Sequence, residues 1–417
     1  MKNFLVKGGN KLSGSVSVIG SKNAVLPIIS AALLTSEKTV LTNVPEIEDV
    51  YQMIQILEYL NVKTEFSQNK LVIDPSNIQN KFIEHEFVCK MRASILFAGS
   101  LIGKFKEANM GYPGGCVLGK RSVDTHILAF EKLGAKLVDN QTKIHLKAEK
   151  LVGTEIVLSE FSVTGTENIV MAAVLAEGVT IVKTAAAEPH VQDMCNFLNA
   201  MGSKIEGIGT HTLKITGVTE LSGVEYKVRA DYLEAGTLLL AGAITNSQIE
   251  VTDFETEDLD LFFEKLEEVG VKFSRTKTSA KILESTNLQS LESLKTGVHP
   301  GFPTDLFAPF SILLSQANGV SKIFETLFEG RFNYIFELEK MNGQVELLNP
   351  HQALIIGPSK LKGMPVASCD IRAGAAIVLA ALVAEGETLI TNINYIDRGY
   401  QKLDQKLNSL GADIQRI

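Results

Sequence analysis

The chain has 417 residues, 45% hydrophobic and 21% charged, and its 40 Lys and Arg against 48 Asp and Glu leave a formal net charge of −8. That length supports two or three domains with a large core, and the acidic balance argues against a general nucleic-acid binder. Cys89, Cys116, Cys195 and Cys369 form neither a metal-spaced pair nor a disulfide framework, so a reducing cytoplasm is expected. The first residues hold too short an apolar run for a signal peptide. The longest apolar stretch, 373–384, is about half a membrane span, so no membrane partner is expected.

Along the chain one pattern returns. An N-terminal strand, 2–6, precedes an apolar helix over 24–34 that opens on Ser21-Lys22-Asn23. A β-branched strand over 39–42 follows, then an amphipathic helix ending Leu60-Asn61-Val62-Lys63, then paired strands 63–66 and 70–73. Arg92 opens the next buried helix, and strands 136–138 and 143–146 close that unit. Further buried helices fall at 169–176, 235–244, 309–315 and 373–384, with strands at 179–182 and 387–390. The helix-ending marker recurs at 133–136, 201–204, 269–272, 341–344 and 410–413, a spacing of roughly 70 residues, longer than simple solenoid repeats. Gly or Asn at the marker suits a helix C-terminus. Each unit therefore reads as buried helix, strand, amphipathic helix and two strands.

Six such units predict an α/β fold of two domains with three units each. The apolar helices lie inside and the sheets and amphipathic helices outside. The chain crosses near residues 21 and 229, giving one discontinuous domain of 1–21 with 230–417 and an inserted domain of 22–229. Two close crossings make a hinge rather than a tether.

Charge gathers where the buried helices begin. Ser21, Thr166, Asp231, Thr304 and Asp370 read as N-caps. Lys22, Arg92 and Arg372 are different, because a cation at a helix N-terminus is electrostatically unfavourable. Together they fit helix starts that share a strongly anionic ligand. Arg121, Arg331 and Arg398 lie in glycine-containing loops, and Arg331 reads equally well as a surface residue. His299-Pro300-Gly301-Phe302-Pro303-Thr304-Asp305 holds a carboxylate on a stiffened approach. It reads either as a general base or as an ordinary first-turn acid. In Gly114-Gly115-Cys116-Val117-Leu118-Gly119-Lys120-Arg121 a thiol sits among glycines and two cations. That is either a surface turn or a site where ionisation of the thiol is tuned.

These stretches resemble one family. Gly20-Ser21-Lys22-Asn23-Ala24, Pro113-Gly114-Gly115-Cys116, Gly119-Lys120-Arg121-Ser122-Val123-Asp124, Phe302-Pro303-Thr304-Asp305, Asp370-Ile371-Arg372-Ala373 and Ile396-Asp397-Arg398-Gly399-Tyr400 are similar to the enolpyruvyl transferases that act on UDP-N-acetylglucosamine. The likeness runs along the whole chain. It implies the two-domain inside-out α/β barrel of that family and the first committed step of peptidoglycan synthesis. The substrates it implies are phosphoenolpyruvate and UDP-N-acetylglucosamine, joined by addition and elimination with release of phosphate.

By the same resemblance Cys116 is the general acid and a target for fosfomycin, and Asp305 takes the proton of the sugar 3-hydroxyl. Lys22, Arg121, Arg331, Arg372 and Arg398 hold the phosphate and carboxylate of phosphoenolpyruvate, Lys22 and Arg398 with a catalytic part. Asn23 contacts the substrate. Arg92, Arg121, Ser122, Val123, Asp124, Thr125, Ser162, Val163, Thr304, Asp305 and Leu327 line the nucleotide-sugar site. No metal or cofactor is implied, a monomer is expected, and the Cys116 loop is expected to act as a lid.

The chain departs from the family at Glu160, where Lys is frequent, at Thr164-Gly165-Thr166, and at Tyr232, where Arg is frequent. The rivals are a shikimate 3-phosphate enolpyruvyl transferase, which has no counterpart of the Gly-Gly-Cys loop, and a non-catalytic nucleotide-sugar-binding paralog.

Overall fold

A computed structural model describes residues 2–114, 122–139 and 143–417. The described residues fall into two compact units, one of 2–19 with 230–417 and one within 20–229. Each unit has its own continuous apolar core. The Cys116 loop, with Lys120 and Arg121, lies outside the described residues.

The apolar helices form the inside of each unit. In the unit of 20–229 these are Lys22–Ala31, Leu96–Phe105 and Val163–Ala173. In the other they are Tyr232–Ile244, Thr304–Leu314 and Ile371–Val383, which pack on one another. Every residue of Tyr232–Ile244 is buried, as a helix without a polar face requires. Ala, Gly and Leu dominate it because small side chains let neighbouring helices approach.

Two starts fall earlier than the apolar runs suggest, at Val163 rather than 169 and at Thr304 rather than 309. The residues read as caps, Thr166 and Thr304, stand closer to these starts than the apolar runs do. Arg92 opens a 3₁₀ turn, Arg92–Ile95, that leads into Leu96–Phe105.

The sheets lie outside and share one strand order. Glu155–Val157 runs parallel to Val179–Lys183, which pairs antiparallel with Thr212–Thr216, and that strand with Lys204–Glu206. Among the described residues five four-stranded sheets follow this order. The parallel strand at each edge corrects the unit read from sequence, which lacked it. Beside Val179–Lys183, Gly319–Phe324 and Glu387–Thr391 it directly precedes the unit's own buried helix and makes a parallel crossover, whereas Thr39–Thr42 is edged by the distant Glu225–Lys227 and Gln248–Thr252 by the distant Ser13–Ser17.

Three residues in extended conformation carry too little periodicity to be seen beforehand. In one of these five the N-terminal strand Phe4–Lys7 stands where a hairpin strand stands in the others, between Glu387–Thr391 and Asp413–Arg416. The sheet Glu107–Met110, Ile144–Lys147, Lys136–Asp139 has three strands, and a single parallel bridge from Ile83 stands at its edge.

Candidate active site

In the unit of 2–19 with 230–417, the sequence brings a carboxylate and two guanidinium groups together. Asp305 is the second residue of Thr304–Leu314. Phe302, just before it, is buried edge-on against Phe310 at a centroid distance of 5.3 Å and also contacts Phe262. This anchors the approach that Pro300 and Pro303 stiffen. Pro309 has no N–H, so the carbonyl of Asp305 receives no helical bond from position i+4. Pro27 has the same relation to Asn23 in Lys22–Ala31.

Asp305 Oδ1 accepts from Arg331 Nη2 and its Oδ2 from Arg372 Nε at 3.2 Å. The arginine side chains are only 7% and 4% exposed. Arg331 belongs to the 3₁₀ turn Glu329–Phe332 and is buried, which corrects its surface reading. Arg331 Nε and Arg372 Nη1 are buried and find no hydrogen-bond acceptor among the described residues. Arg372 also lies 5.0 Å from the Tyr400 ring centroid. Burial opposes its charge, but Tyr400, Asp305 and Asp231 outweigh that and hold the guanidinium protonated.

Asp370 caps this arginine's helix, its Oδ1 accepting from the backbone N–H groups of Arg372 and Ala373 at 2.8 Å each. Asp231 caps Tyr232–Ile244 in the same way through Leu233 and Glu234. Arg398 ends the short helix Asn394–Asp397, which Arg416 braces through a two-pronged pair with Asp397 at 2.7 and 2.9 Å. Gly399 passes so close to Ile371 that an added Cβ would stand 2.4 Å from its Cγ2. Only glycine lets the Arg398–Tyr400 segment lie against the start of the Arg372 helix.

Thr304 is not an N-cap. Pro303 holds the cap position, and the Thr304 hydroxyl instead donates to Glu325 Oε2 at 2.7 Å. Leu327 is exposed, and its backbone N–H donates to Glu325 Oε1 at 2.7 Å. Sequence reasoning missed Glu325. It stands outside the stretches on which the resemblance rests, and its side-chain partners are 21 and 29 residues away in Thr304 and Thr296.

The unit within 20–229 is built differently. Lys22 opens its helix and pairs with buried Asp49 at 3.3 Å. Asn23 follows it. Ser21 holds the cap position without capping, and its hydroxyl is buried with no partner among the described residues. Arg92 Nη2 donates to the Ser122 carbonyl at 2.9 Å. Ser122 Oγ accepts from the Asp124 N–H at 2.9 Å, Val123 stands at the cap, and Asp124 begins the helix Asp124–Lys132.

Thr125 Oγ1 meets Ser159 Oγ at 2.8 Å and Glu160 Oε1 at 3.2 Å. The carboxylate at position 160 therefore has a local hydroxyl partner. The cap of Val163–Ala173 is Ser162, whose Oγ accepts from the Gly165 N–H at 3.2 Å. Thr166, expected as the cap, lies in the helix and donates to the Ser162 carbonyl at 2.8 Å.

Beneath these residues runs a neutral network. Asn168 Nδ2 donates to the Ile95 carbonyl at 3.0 Å and to His126 Nδ1 at 2.8 Å, and its Oδ1 accepts from the Gly99 N–H at 2.8 Å. With Nδ1 accepting, the His126 proton sits on Nε2, 3.3 Å from Thr164 Oγ1. Burial, with the charge of Arg92 behind it, lowers the His126 pKa to about 3, so the ring is neutral.

Among the described residues no group of three or more His, Cys, Asp and Glu is arranged to hold a metal ion. No helix among them is long and apolar enough to cross a membrane.

The sequence matches the EPSP synthase (3-phosphoshikimate 1-carboxyvinyltransferase) family over residues 6–407. It is 42% identical over 419 residues to UDP-N-acetylglucosamine 1-carboxyvinyltransferase 1 of Halalkalibacterium halodurans, covering 100% of this chain and 95% of that one. It is 40% identical over 424 residues to the UDP-N-acetylglucosamine 1-carboxyvinyltransferase of Borrelia garinii, covering 100% and 99%. The fold is similar to that of the enolpyruvyl transferase NikO of Streptomyces tendae, with a TM-score of 0.90 at 22% identity over 100% of this chain and 99% of that one. An EPSP synthase of Acinetobacter baumannii is similar at a TM-score of 0.78 and 18% identity, with both chains fully covered. The expected inside-out α/β architecture is therefore the fold of this chain.

Proposed function

Since the chain belongs to the UDP-N-acetylglucosamine 1-carboxyvinyltransferases within the EPSP synthase family, we propose that it transfers the enolpyruvyl group of phosphoenolpyruvate to the 3-hydroxyl of UDP-N-acetylglucosamine. Phosphate is released, and the step is the first committed one of peptidoglycan synthesis. The observation that carries this reading is the Asp305–Arg331–Arg372 cluster. Two buried guanidinium groups share one carboxylate, and each keeps a buried N–H group without an acceptor among the described residues. Buried donors call for partners, and an anionic substrate supplies them.

In this reading the carboxylate of Asp305 takes the proton of the sugar hydroxyl as its oxygen attacks C2 of phosphoenolpyruvate. The Cys116 thiol donates a proton to C3. An ordinary thiol pKa near 8.5 keeps that proton available at neutral pH. The tetrahedral intermediate then loses a proton from C3 and expels phosphate. Arg331, Arg372, Arg398, Lys22 and Arg121 hold the carboxylate and phosphate and offset the charge that builds up. Asn23, Arg92, Ser122, Val123, Asp124, Thr125, Ser162, Val163, Thr304 and Leu327 hold the nucleotide sugar. Alkylation of Cys116 by fosfomycin follows from the same role of the thiol.

The enzyme works in the cytoplasm as a monomer, with its domains divided at the two crossings and neither nucleic acid nor membrane as partner. The test is phosphate release from phosphoenolpyruvate with either UDP-N-acetylglucosamine or shikimate 3-phosphate. Release with the nucleotide sugar alone is expected. Release with shikimate 3-phosphate alone would overturn the substrate, and release with neither would overturn the activity.

A further inference from the structure

Glu325 is fully buried at the end of the strand Gly319–Phe324. No lysine or arginine pairs with it in the ion pairs of the described residues, and four donors surround it instead. Its Oε1 accepts from the Thr296 hydroxyl at 3.1 Å and from the backbone N–H groups of Leu327 and Phe328 at 2.7 and 3.2 Å. Its Oε2 accepts from the Thr304 hydroxyl at 2.7 Å. A buried carboxylate costs several kcal/mol unless such donors compensate it. An apolar residue would fill the space more cheaply, so its presence needs a reason beyond packing.

The reason lies in what the donors belong to. Thr304 is the residue before Asp305 at the start of its helix. Leu327 and Phe328 form the turn that leads into Arg331. One carboxylate therefore ties both sides of the Asp305–Arg331 pair. Thr296 completes the frame, since its carbonyl accepts from the Thr326 hydroxyl and its own hydroxyl from the Thr326 N–H, both at 2.9 Å.

We infer that Glu325 is a positioning residue for the reaction. It fixes Asp305 and the Leu327–Arg331 segment relative to each other, so that the carboxylate meets the sugar hydroxyl at bonding distance. This rests on the reading of Asp305 as the base.

Glu325→Gln keeps the shape but replaces one acceptor oxygen with a donor, which then faces Thr304 or the Leu327 turn. Phosphate release with phosphoenolpyruvate and UDP-N-acetylglucosamine, read with thermal unfolding, is the experiment. In Glu325→Gln kcat is expected to fall on the order of 10- to 100-fold, while both KM values stay within about threefold. Thr296→Val, which removes another hydroxyl donor to the same carboxylate, should reproduce part of the loss and Thr296→Ser should restore activity. The double variant E325Q/T296V should be no worse than E325Q alone, because one link is broken in both.

A kcat for E325Q within about twofold of the parent overturns the inference, as do losses that multiply in the double variant. If E325Q does not unfold cooperatively, T296V against T296S decides, and equal rates for the two overturn it. Asp305→Asn run in parallel separates the two claims. Full activity there sinks the reading of Asp305 itself, whereas an inactive D305N beside a fully active E325Q sinks only the inference.

Discussion

The helix starts of the two units solve different problems. In the unit of 2–19 with 230–417, the start of Thr304–Leu314 is charge-dense, with Asp305 held by two nearly buried arginines. In the unit within 20–229, the ground beneath Arg92, Thr125 and Ser162 is neutral, with Asn168 satisfying backbone groups of Ile95 and Gly99 and an uncharged His126 bonded to the side chains of Asn168 and Thr164. Charge in a low-dielectric site gives strong, directed electrostatics but costs desolvation. A neutral network gives shape at less cost. The first arrangement suits a group that moves a proton and holds anions. The second suits a surface that must keep hydrogen-bonding positions fixed.

The comparison breaks most visibly at Asp305. Asp305→Asn should lower kcat by roughly 100- to 10,000-fold with nearly unchanged affinity for UDP-N-acetylglucosamine, measured by phosphate release and calorimetric binding. A loss confined to affinity would make Asp305 a binding residue only.

The neutral network should fail in stability instead. Asn168→Ala strips partners from His126, Ile95 and Gly99 and should cost about 3 kcal/mol in urea unfolding. No change would mean that these groups find other partners.

His126 sharpens the contrast through pH. Its folded pKa of about 3 lies below the ordinary histidine value, so the unfolded chain takes up the proton first. Stability is unaffected above about pH 6.5 and falls between there and pH 3, by about 1.4 kcal/mol per unit at most. His126→Gln should flatten that decline, and an unchanged slope would assign the acid loss to other groups.

The smallest effect belongs to a surface pair that is part of neither device. Lys214→Ala removes a 2.9 Å contact with Glu206, whose side chain is 64% exposed, and should stay within about 0.5 kcal/mol. A larger loss would show that surface charge matters to this fold.

The sequence carried the repeat because each unit spends one helix wholly inside and ends another at Gly or Asn, two signals that survive without structure. It did not carry the edge strands, since Glu155–Val157 and Ser293–Lys295 are three residues each. Thr166 looked like a cap because polar residues mark helix starts, but Ser162, four residues earlier, holds the position. Asp305 stood out on its proline-stiffened approach, Arg372 as a cation at a helix start, and Arg331 only as a cation beside a glycine. Their mutual pairing did not, because Asp305 and Arg331 stand in different elements of one unit of the repeat and Arg372 opens the next. Glu325 was invisible for a similar reason, as nothing next to it in sequence distinguishes a buried acid from a solvated one.

The most direct test of the whole account is to run phosphoenolpyruvate and UDP-N-acetylglucosamine with the protein in D₂O and examine the product by mass spectrometry and proton NMR. Addition and elimination pass through a methyl group at C3. The account predicts a 3-O-enolpyruvyl ether of the sugar with deuterium in its vinyl methylene, formed by the parent and not by Asp305→Asn. An ether without deuterium would contradict protonation at C3, and no ether at all would contradict the proposed function.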